Sequence, residues 1–206
     1  MKICRIFAGG EIKDPSFIKI GAEDFIICAD RGYSHARALG IVPDIIVGDF
    51  DSYTDKLPEN IEIHRSIPEK DDTDAMLAVK LAIENGAEKI VLYGALGGRF
   101  DHTVANIQTL TYIHNQGCEG IIEDYDNIIT VQGEGEYCYP VMEGWYFSLF
   151  ALTDKLHINQ LSGVKYPLSD YLLTSGFPLG VSNEITSSEA VLKIKSGLAL
   201  IVRSKM

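Results

Sequence analysis

The chain has 206 residues, of which 46% are hydrophobic and 23% are charged, and it carries a formal net charge of −11 at pH 7. These proportions are ordinary for a soluble globular protein with one large domain or two small ones. The acidic balance and the lack of a basic run disfavour nucleic acid as a partner, because binding to a phosphate backbone needs clustered lysine and arginine.

Cysteine usage and hydropathy indicate the compartment. The four cysteines show no C-x-x-C spacing, so free thiols in a reducing cytosol are expected. The chain opens on a strand pattern rather than a signal peptide, and no apolar stretch approaches the ~20 residues of a membrane-spanning helix. We therefore expect a cytoplasmic protein with no membrane partner.

Strand and helix patterns alternate through the first half of the chain. The predicted strands cover residues 3–8, 24–29, 44–47, 62–64 and 89–93. The predicted helices cover residues 33–39, 72–85 and 101–116, and each is followed directly by a glycine that suits a helix C-terminus. Strands that alternate with helices of this length predict βαβ units and a mostly parallel, Rossmann-like sheet.

The pattern changes near residue 125. Short alternating runs follow, separated by turn residues, at 128–131, 134–139, 145–152, 155–161, 179–184, 189–194 and 199–203. Such runs predict an all-β sandwich or barrel. We therefore expect an α/β domain over residues 1–125 and a β-sandwich domain over residues 126–206.

The segment GDFDS, residues 48–52, carries two aspartates directly after a predicted strand. Asp49 and Asp51 are two residues apart, so in an extended segment they point the same way. Paired carboxylates at a strand end suit Mg²⁺, which takes oxygen ligands and leaves waters for substrate phosphates. The same composition also suits a solvated turn.

A second acidic segment, DDTD at residues 71–74, precedes a predicted helix and supplies its N-cap. Asp71 and Asp74 share a face of the first turn, and Lys70 stands beside them. Acidic residues in a first turn also complement the helix dipole for structural reasons alone. Three aspartates in four residues exceed what capping needs, which favours a metal site.

The segment GGRFDH, residues 97–102, lies between a predicted strand and a predicted helix. Free backbone N–H groups at such a turn cradle phosphate, and Arg99 offers a bidentate fork. Glycines there are also common turn residues, and His102 is expected to be an ordinary helix residue. In the second half, Ser182 and Asn183 are candidate hydrogen-bonding groups for a polar substrate, and Tyr166 and Trp145 are candidate stacking platforms.

These segments occur in a fixed order: ADRG, GDFDS, KDDTD, GGRFDH and finally GVSNE. The ordered set, which spans nearly the whole chain, resembles the thiamin pyrophosphokinase family. The resemblance implies a homodimeric Mg²⁺-dependent enzyme with active sites at the interface. It further implies transfer of pyrophosphate from ATP to the thiamin hydroxyl, which gives thiamin diphosphate and AMP.

The resemblance also implies roles for individual residues. The carboxylates around Mg²⁺ and the ATP phosphates would be Asp49, Asp51, Asp71 and Asp74. The ATP side would further include Asp30, Arg31 and Gly32, with Arg99 on the phosphates. To these we add Gly97 and Gly98 from their place at a strand–helix turn, and Lys70, which stands where eukaryotic members have glutamine. The thiamin side would comprise Asp101, Ser182 and Asn183, with Tyr166 where eukaryotic members place a stacking tryptophan.

Pyrophosphoryl transfer depends on positioning and charge neutralisation rather than on covalent work by the protein. We expect Asp49, Asp71, Asp74 and Arg99 to form the catalytic set, with Asp71 as the first candidate to accept the hydroxyl proton. Three alternatives stay open: a pyrophosphokinase acting on a hydroxymethylpterin, a Mg²⁺-dependent phosphohydrolase, and a catalytically silent nucleotide-binding module.

Overall fold

The computed structural model describes residues 1–49, 58, 60–65 and 72–206, and the chain forms two compact units. Unit 1 is Met1–Tyr125 and unit 2 is Asp126–Met206. Strands and helices alternate in unit 1, whereas unit 2 is built from strands. The prediction of an α/β part followed by an all-β part is confirmed.

Unit 1 follows the predicted order of elements, with two additions. Its elements are β1 (Ile3–Phe7), β2 (Phe25–Ala29), α1 (Gly32–Ala38), β3 (Ile45–Gly48), β4 (Glu62–Arg65), α2 (Asp74–Glu84), β5 (Lys89–Tyr93), α3 (Phe100–Asn115) and β6 (Glu119–Glu123). A short 3-10 turn, Pro15–Phe17, and strand β6 were not predicted.

The strands of unit 1 pair in parallel. β1 lies between β2 and β5, while β3 and β4 extend the sheet beyond β2, and β6 extends it beyond β5. Parallel strands place their carboxyl ends at one edge of the sheet. The direction in which the chain adds strands reverses between β1 and β5. In open α/β sheets, ligands bind at the carboxyl edge beside such a reversal.

A strap of residues 12–24 crosses one face of this sheet. Apolar side chains of the strap pack on a buried cluster that contains Phe7 and Tyr93, both fully buried. The Arg5 guanidinium ties strap to sheet, since Nε donates to Asp24 Oδ2 over 2.5 Å and Nη1 donates to the Tyr93 hydroxyl over 2.6 Å. The strap is thereby held against the sheet.

Unit 2 forms two antiparallel sheets. Its strands are β7 (Asn127–Gln132), β8 (Gly135–Pro140), β9 (Trp145–Ala151), β10 (Lys155–Ser162), β11 (Leu168–Thr174), β12 (Gly180–Asn183), β13 (Glu189–Ser196) and β14 (Ala199–Lys205). β12, β9, β14 and β7 neighbour one another in that order, as do β11, β10, β13 and β8. Strand β11 was not predicted.

One apolar cluster fills the space between the two sheets of unit 2. It takes Phe147 and Leu149 from β9, together with Leu156 and Ile158 from β10, all at most 2% exposed. Each fully buried side chain of this size contributes about 1.5–3 kcal/mol to folding. Packing of both sheets on one core is the sandwich arrangement.

In the described part of the chain, the cysteines are free thiols and no helix is suited to crossing a membrane. All four cysteines lie in the described part of the chain, and none of them is in a disulfide. Burial raises the pKa of the Cys4 and Cys28 thiols to about 12, which makes them unreactive. Within the same part of the chain, no helix has both the length and the apolar character needed to cross a membrane.

Candidate active site

A cavity of about 610 Å³ opens in unit 1 at the carboxyl edge of the parallel sheet. Its walls come from the loops after β1, β2 and β5 and from the first turns of α2 and α3. The lining residues are Ala8, Gly9, Gly10, Glu11, Ala29, Asp30, Arg31, Thr73, Asp74, Ala75, Gly94, Ala95, Gly97, Gly98, Arg99, His102 and Asn106. This is the crevice at which open α/β sheets bind their ligands.

Two glycines bring the loops after β1 and β5 into backbone contact. The Gly10 N–H donates to the Gly94 carbonyl over 2.8 Å, and a Cβ on Gly10 would lie 2.4 Å from that oxygen. Gly94 has φ +62°, and a Cβ there would lie 2.7 Å from the Ala8 carbonyl. A side chain at either position would force the two loops apart and change the cavity floor.

Two polar side chains fix the same loops from the helices. His35 Nε2, on α1, lies 2.7 Å from the Gly10 carbonyl. Asn106, on α3 and only 7% exposed, donates from Nδ2 to the Ala95 carbonyl over 2.8 Å. Neither residue was predicted from the sequence to have a role in the site. A polar Asn on the apolar side of α3 was an available signal, whereas His35 offered none.

Asp30, directly after β2, has the carboxylates of Asp74 and Asp49 nearby. Its backbone adopts φ +50°, and its N–H donates to the Val47 carbonyl over 2.7 Å. Burial raises the pKa of the Asp30 carboxyl, and the charges of Asp74 and Asp49 raise it further. Asp74 and Asp49, from two other stretches of chain, thus lie close enough to Asp30 to repel its charge, and a bound cation would relieve that repulsion.

The raised pKa gives a stability prediction for Asp30→Asn. The pKa of Asp30 in the folded state lies above the ordinary value of 3.8. The ionised carboxylate therefore destabilises the fold, an effect that begins as pH rises past 3.8 and is complete above the folded-state pKa. We expect the variant to unfold at higher urea than the parent at pH 7, with the gain shrinking towards pH 4.

Circular dichroism during urea unfolding at several pH values measures this gain. Asparagine also tolerates the positive φ well, which adds a gain that does not depend on pH. A difference between variant and parent that stays constant from pH 7 to pH 4 would contradict the charge argument.

The N-terminus of α2 separates two neighbouring aspartates. Thr73 is the N-cap, and its hydroxyl accepts from the Met76 N–H over 3.1 Å. Asp74 follows in the first turn and lines the cavity. Asp72 instead pairs with Lys80 Nζ over 2.6 Å and is not a lining residue. Thr73 therefore caps α2, whereas Asp74 is the acidic residue of its first turn that lines the cavity.

The loop after β5 presents glycines and an arginine to the cavity. Gly97 and Gly98 have φ +80° and +64°, a left-handed pair that side chains resist. The Arg99 fork is held by Asp101, with Nη2 2.5 Å from Oδ2 and Nε 3.1 Å from Oδ1. This pairing lowers the pKa of the Asp101 carboxyl and raises that of Arg99. Both side chains are exposed, so a phosphate can compete with Asp101 for the fork.

Gly32, predicted on the ATP side, has a packing role. It begins α1 and is buried, and a Cβ there would lie 1.8 Å from the Phe7 carbonyl. It is not a lining residue of the cavity, whereas its neighbours Asp30 and Arg31 are. His102, expected to be an ordinary helix residue, does line the cavity.

The residues predicted for the thiamin side lie in unit 2, apart from Asp101. Tyr166 is 61% exposed and Asn183 is 7% exposed. Asn183 Oδ1 accepts from the N–H groups of Tyr166 and Glu184, and Nδ2 donates to the Tyr166 carbonyl. Ser182 has φ +56°, and its N–H donates to Ser148 Oγ over 3.0 Å. The carboxamide of Asn183 thus holds the Tyr166 backbone.

Three predicted site residues, Asp51, Lys70 and Asp71, lie outside the described residues. Within the described ranges, no group of three or more His, Cys, Asp or Glu side chains is arranged to hold a metal ion. Asp49 and Asp74 are described. Two carboxylates suffice for Mg²⁺ when phosphates and waters complete its shell, so the donor chemistry fits.

Glycine-rich loops, aspartates and an arginine line the crevice of this parallel sheet. These features are typical of the class of α/β proteins that bind phosphorylated ligands. Comparison with known proteins narrows the class. Residues 19–122 match the family model described as "Thiamin pyrophosphokinase, catalytic domain". Residues 127–199 match the model described as "Thiamin pyrophosphokinase, vitamin B1 binding domain".

Individual relatives agree with the family models. The thiamine pyrophosphokinase of Bacillus subtilis is 33% identical over 184 residues, covering 86% of each chain. Thiamin pyrophosphokinase 1 of Caenorhabditis elegans is 29% identical over 76% of this chain and 68% of its own. The crystal structure of the Bacillus subtilis enzyme superposes with a TM-score of 0.91 at 30% identity over 100% of both chains. The chain belongs to the thiamin pyrophosphokinase family and is a transferase of that class.

Proposed function

We propose that the protein transfers the pyrophosphoryl group of ATP to the hydroxyl of thiamin and releases AMP. The observation that carries the proposal is the unit 1 cavity, where Asp30, Asp74 and the glycine pair before Arg99 meet at the strand-order reversal. The family membership supplies the acceptor, since unit 2 matches a vitamin B1 binding model.

ATP would bind at the carboxyl edge of unit 1, for which we propose a Rossmann-like mode of nucleotide binding. The backbone of the Gly97–Gly98 turn and the start of α3, whose N-cap Arg99 makes no side-chain cap hydrogen bond, suit the phosphate chain. Arg99 would exchange Asp101 for a phosphate oxygen. Asp30 and Arg31 would line the nucleotide side, and Lys70 completes the proposed ATP set from the sequence alone.

Mg²⁺ belongs to the proposal as the partner of the phosphates. Asp49 and Asp74 would hold it, together with Asp51 and Asp71 as sequence-based candidates. When bound, the ion neutralises charge on the β- and γ-phosphates. Repulsion of Asp30 by Asp49 and by Asp74 supports this assignment, because a bound cation would offset that repulsion.

The reaction needs one bond made and one broken. The thiamin hydroxyl oxygen attacks the β-phosphorus in line, and the bond from that phosphorus to the bridging oxygen of the α-phosphate breaks, so AMP leaves with that oxygen. The hydroxyl proton passes to a carboxylate, for which Asp71 is our candidate. Arg99 spreads the negative charge that develops on the transferred group.

Thiamin would be held by Asp101, Ser182 and the Tyr166 ring, with Asn183 acting through the Tyr166 backbone. We further propose a cytoplasmic homodimer with active sites at its interface. Large exposed apolar side chains in unit 2, such as Phe177 at 65% and Leu172 at 48%, support a covered surface.

Incubating the protein with MgATP and thiamin tests the proposal. We expect AMP and thiamin diphosphate in equal amounts, no product after EDTA treatment, and a light-scattering mass of twice the 22.7 kDa chain. Phosphate release without thiamin would identify a phosphohydrolase instead. Faster turnover of a hydroxymethylpterin would identify the related pyrophosphokinase, and nucleotide binding without any turnover would identify a silent module.

A further inference from the structure

The exposed aromatic ring of Tyr166 belongs to a segment, residues 163–166, that is hydrogen-bonded to residues 182–185. The Lys165 N–H donates to the Glu184 carbonyl over 2.9 Å, and Val164 forms a bridge with Ile185. Asn183 adds its hydrogen bonds to the Tyr166 backbone. The backbone beneath the ring is therefore held on both sides, which limits how far the ring can move to meet a ligand.

An ion pair lies beside this ring. Lys165 Nζ is 2.7 Å from Glu184 Oε1 and 5.7 Å from the centroid of the Tyr166 ring. At that distance the ammonium interacts with the negative face of the ring. Both charged groups are partly exposed, at 48% and 35%, so a ligand on the ring can reach them.

We propose that Lys165 and Glu184 determine the charge selectivity of the Tyr166 platform in favour of cationic heteroaromatic substrates. This proposal rests on the proposed function, because thiamin carries its positive charge on an aromatic thiazolium ring. Lys165 is the cation that the ring holds in the absence of substrate. A cationic substrate ring takes over that face, and Glu184 both retains the displaced ammonium and faces the new charge.

An ion pair with no ligand role would behave differently. Exposed ion pairs contribute little to stability, so a purely structural pair predicts small effects that are independent of ligand charge. If the pair instead shares the face of the Tyr166 ring with the ligand, replacing Lys165 and replacing Glu184 should change the affinity for a cationic ligand in opposite directions. Lys165 competes with a cationic ligand, whereas Glu184 attracts it.

Calorimetric binding of thiamin to the full chain, with and without MgATP, measures the effect. The comparison ligand is a neutral isostere with thiophene in place of thiazolium. We expect Lys165→Met to tighten thiamin binding about two- to fivefold and Glu184→Gln to weaken it about two- to fivefold, the range of an exposed cation–π contact. Glu184→Gln should leave binding of the neutral isostere within about 1.5-fold. Lys165→Met should tighten binding of the isostere less than that of thiamin, because a neutral ring displaces the same ammonium but is not repelled by its charge.

A matched pair elsewhere in unit 2 provides the control. Lys193 Nζ lies 3.0 Å from Glu136 Oε2 across β13 and β8, with similar exposure. Lys193→Met and Glu136→Gln should leave binding of both ligands unchanged, and circular dichroism should confirm that all four variants are folded.

Equal shifts for the cationic and neutral ligands would overturn the proposal, as would weaker thiamin binding in Lys165→Met. Failure of the proposed function looks different: the parent protein then forms no AMP, whatever the variants do. If the parent binds thiamin without turnover, comparing the binding of thiamin with that of the neutral isostere still tests this proposal. If the parent does not bind thiamin at all, both proposals fail.

Discussion

Replacing Asp74 by asparagine should lower the turnover number about 100- to 1000-fold and leave the fold intact, the usual range for removing one preorganised charged group from a reaction centre. Asp74 lines the cavity from the first turn of α2, and the cap of that helix is Thr73, so the carboxylate is not needed to begin the helix. The amide keeps the shape of the side chain but loses the charge that Mg²⁺ requires. Steady-state AMP formation across a Mg²⁺ titration measures the loss.

Asp72→Asn is the matched control for this variant. Asp72 lies two residues away and pairs with Lys80 outside the cavity lining. Turnover of Asp72→Asn should stay within about twofold of the parent, because a solvent-accessible ion pair contributes little. Part of the loss in Asp74→Asn should be recovered at high Mg²⁺, since weaker metal binding is compensated by mass action. Parent-like turnover of Asp74→Asn at every Mg²⁺ concentration would remove Asp74 from the metal site.

The sequence predicted most elements because their apolar runs are long and their ends are marked. Two strands lacked that signal. β6 offers a short apolar run after Glu119 and Gly120, and the solvent-facing β11 has mostly exposed residues and a φ of +46° at Asp170, which interrupts the alternation. β6 pairs with β5 across the whole of α3, and β11 pairs with β10 across the loop that joins them. Periodicity within a strand does not report such pairing.

The same distinction holds in the site. Asp30, Asp74 and the glycine pair at 97–98 were predictable because strand ends of a parallel sheet meet at one edge. The contact of His35 with the Gly10 carbonyl joins residues 25 positions apart, and it exists only after α1 docks on the sheet. Asn183 was predicted as a substrate ligand from its motif, yet its carboxamide bonds the Tyr166 backbone 17 residues away. A sequence motif indicates where a site lies, but it does not show which of its residues contact the ligand and which hold other site residues in place.

Replacing Gly32 by alanine should cost about 3 kcal/mol or more of unfolding free energy, the upper range for overpacking. The added Cβ would lie 1.8 Å from the Phe7 carbonyl and 2.4 Å from its carbon, so α1 has to move away from β1. The neighbour is backbone in the middle of the parallel sheet and has little freedom to yield. Because Asp30 and Arg31 directly precede Gly32, the cavity wall should shift as well, and ATP binding should weaken with stability.

Two spectroscopic signals separate the response of the units. All described helices lie in unit 1, so circular dichroism at 222 nm follows unit 1 during urea unfolding, whereas the single tryptophan, Trp145, reports on unit 2 by fluorescence. Gly32→Ala should move the dichroism midpoint to lower urea by more than the fluorescence midpoint. Gly9→Ala is the control, because its Cβ would meet the Arg31 Cβ at an ordinary 3.4 Å and should shift the dichroism midpoint little. A parent-like midpoint for Gly32→Ala would mean that α1 relaxes away from β1 at no cost, and the close contact would then not be what requires glycine there.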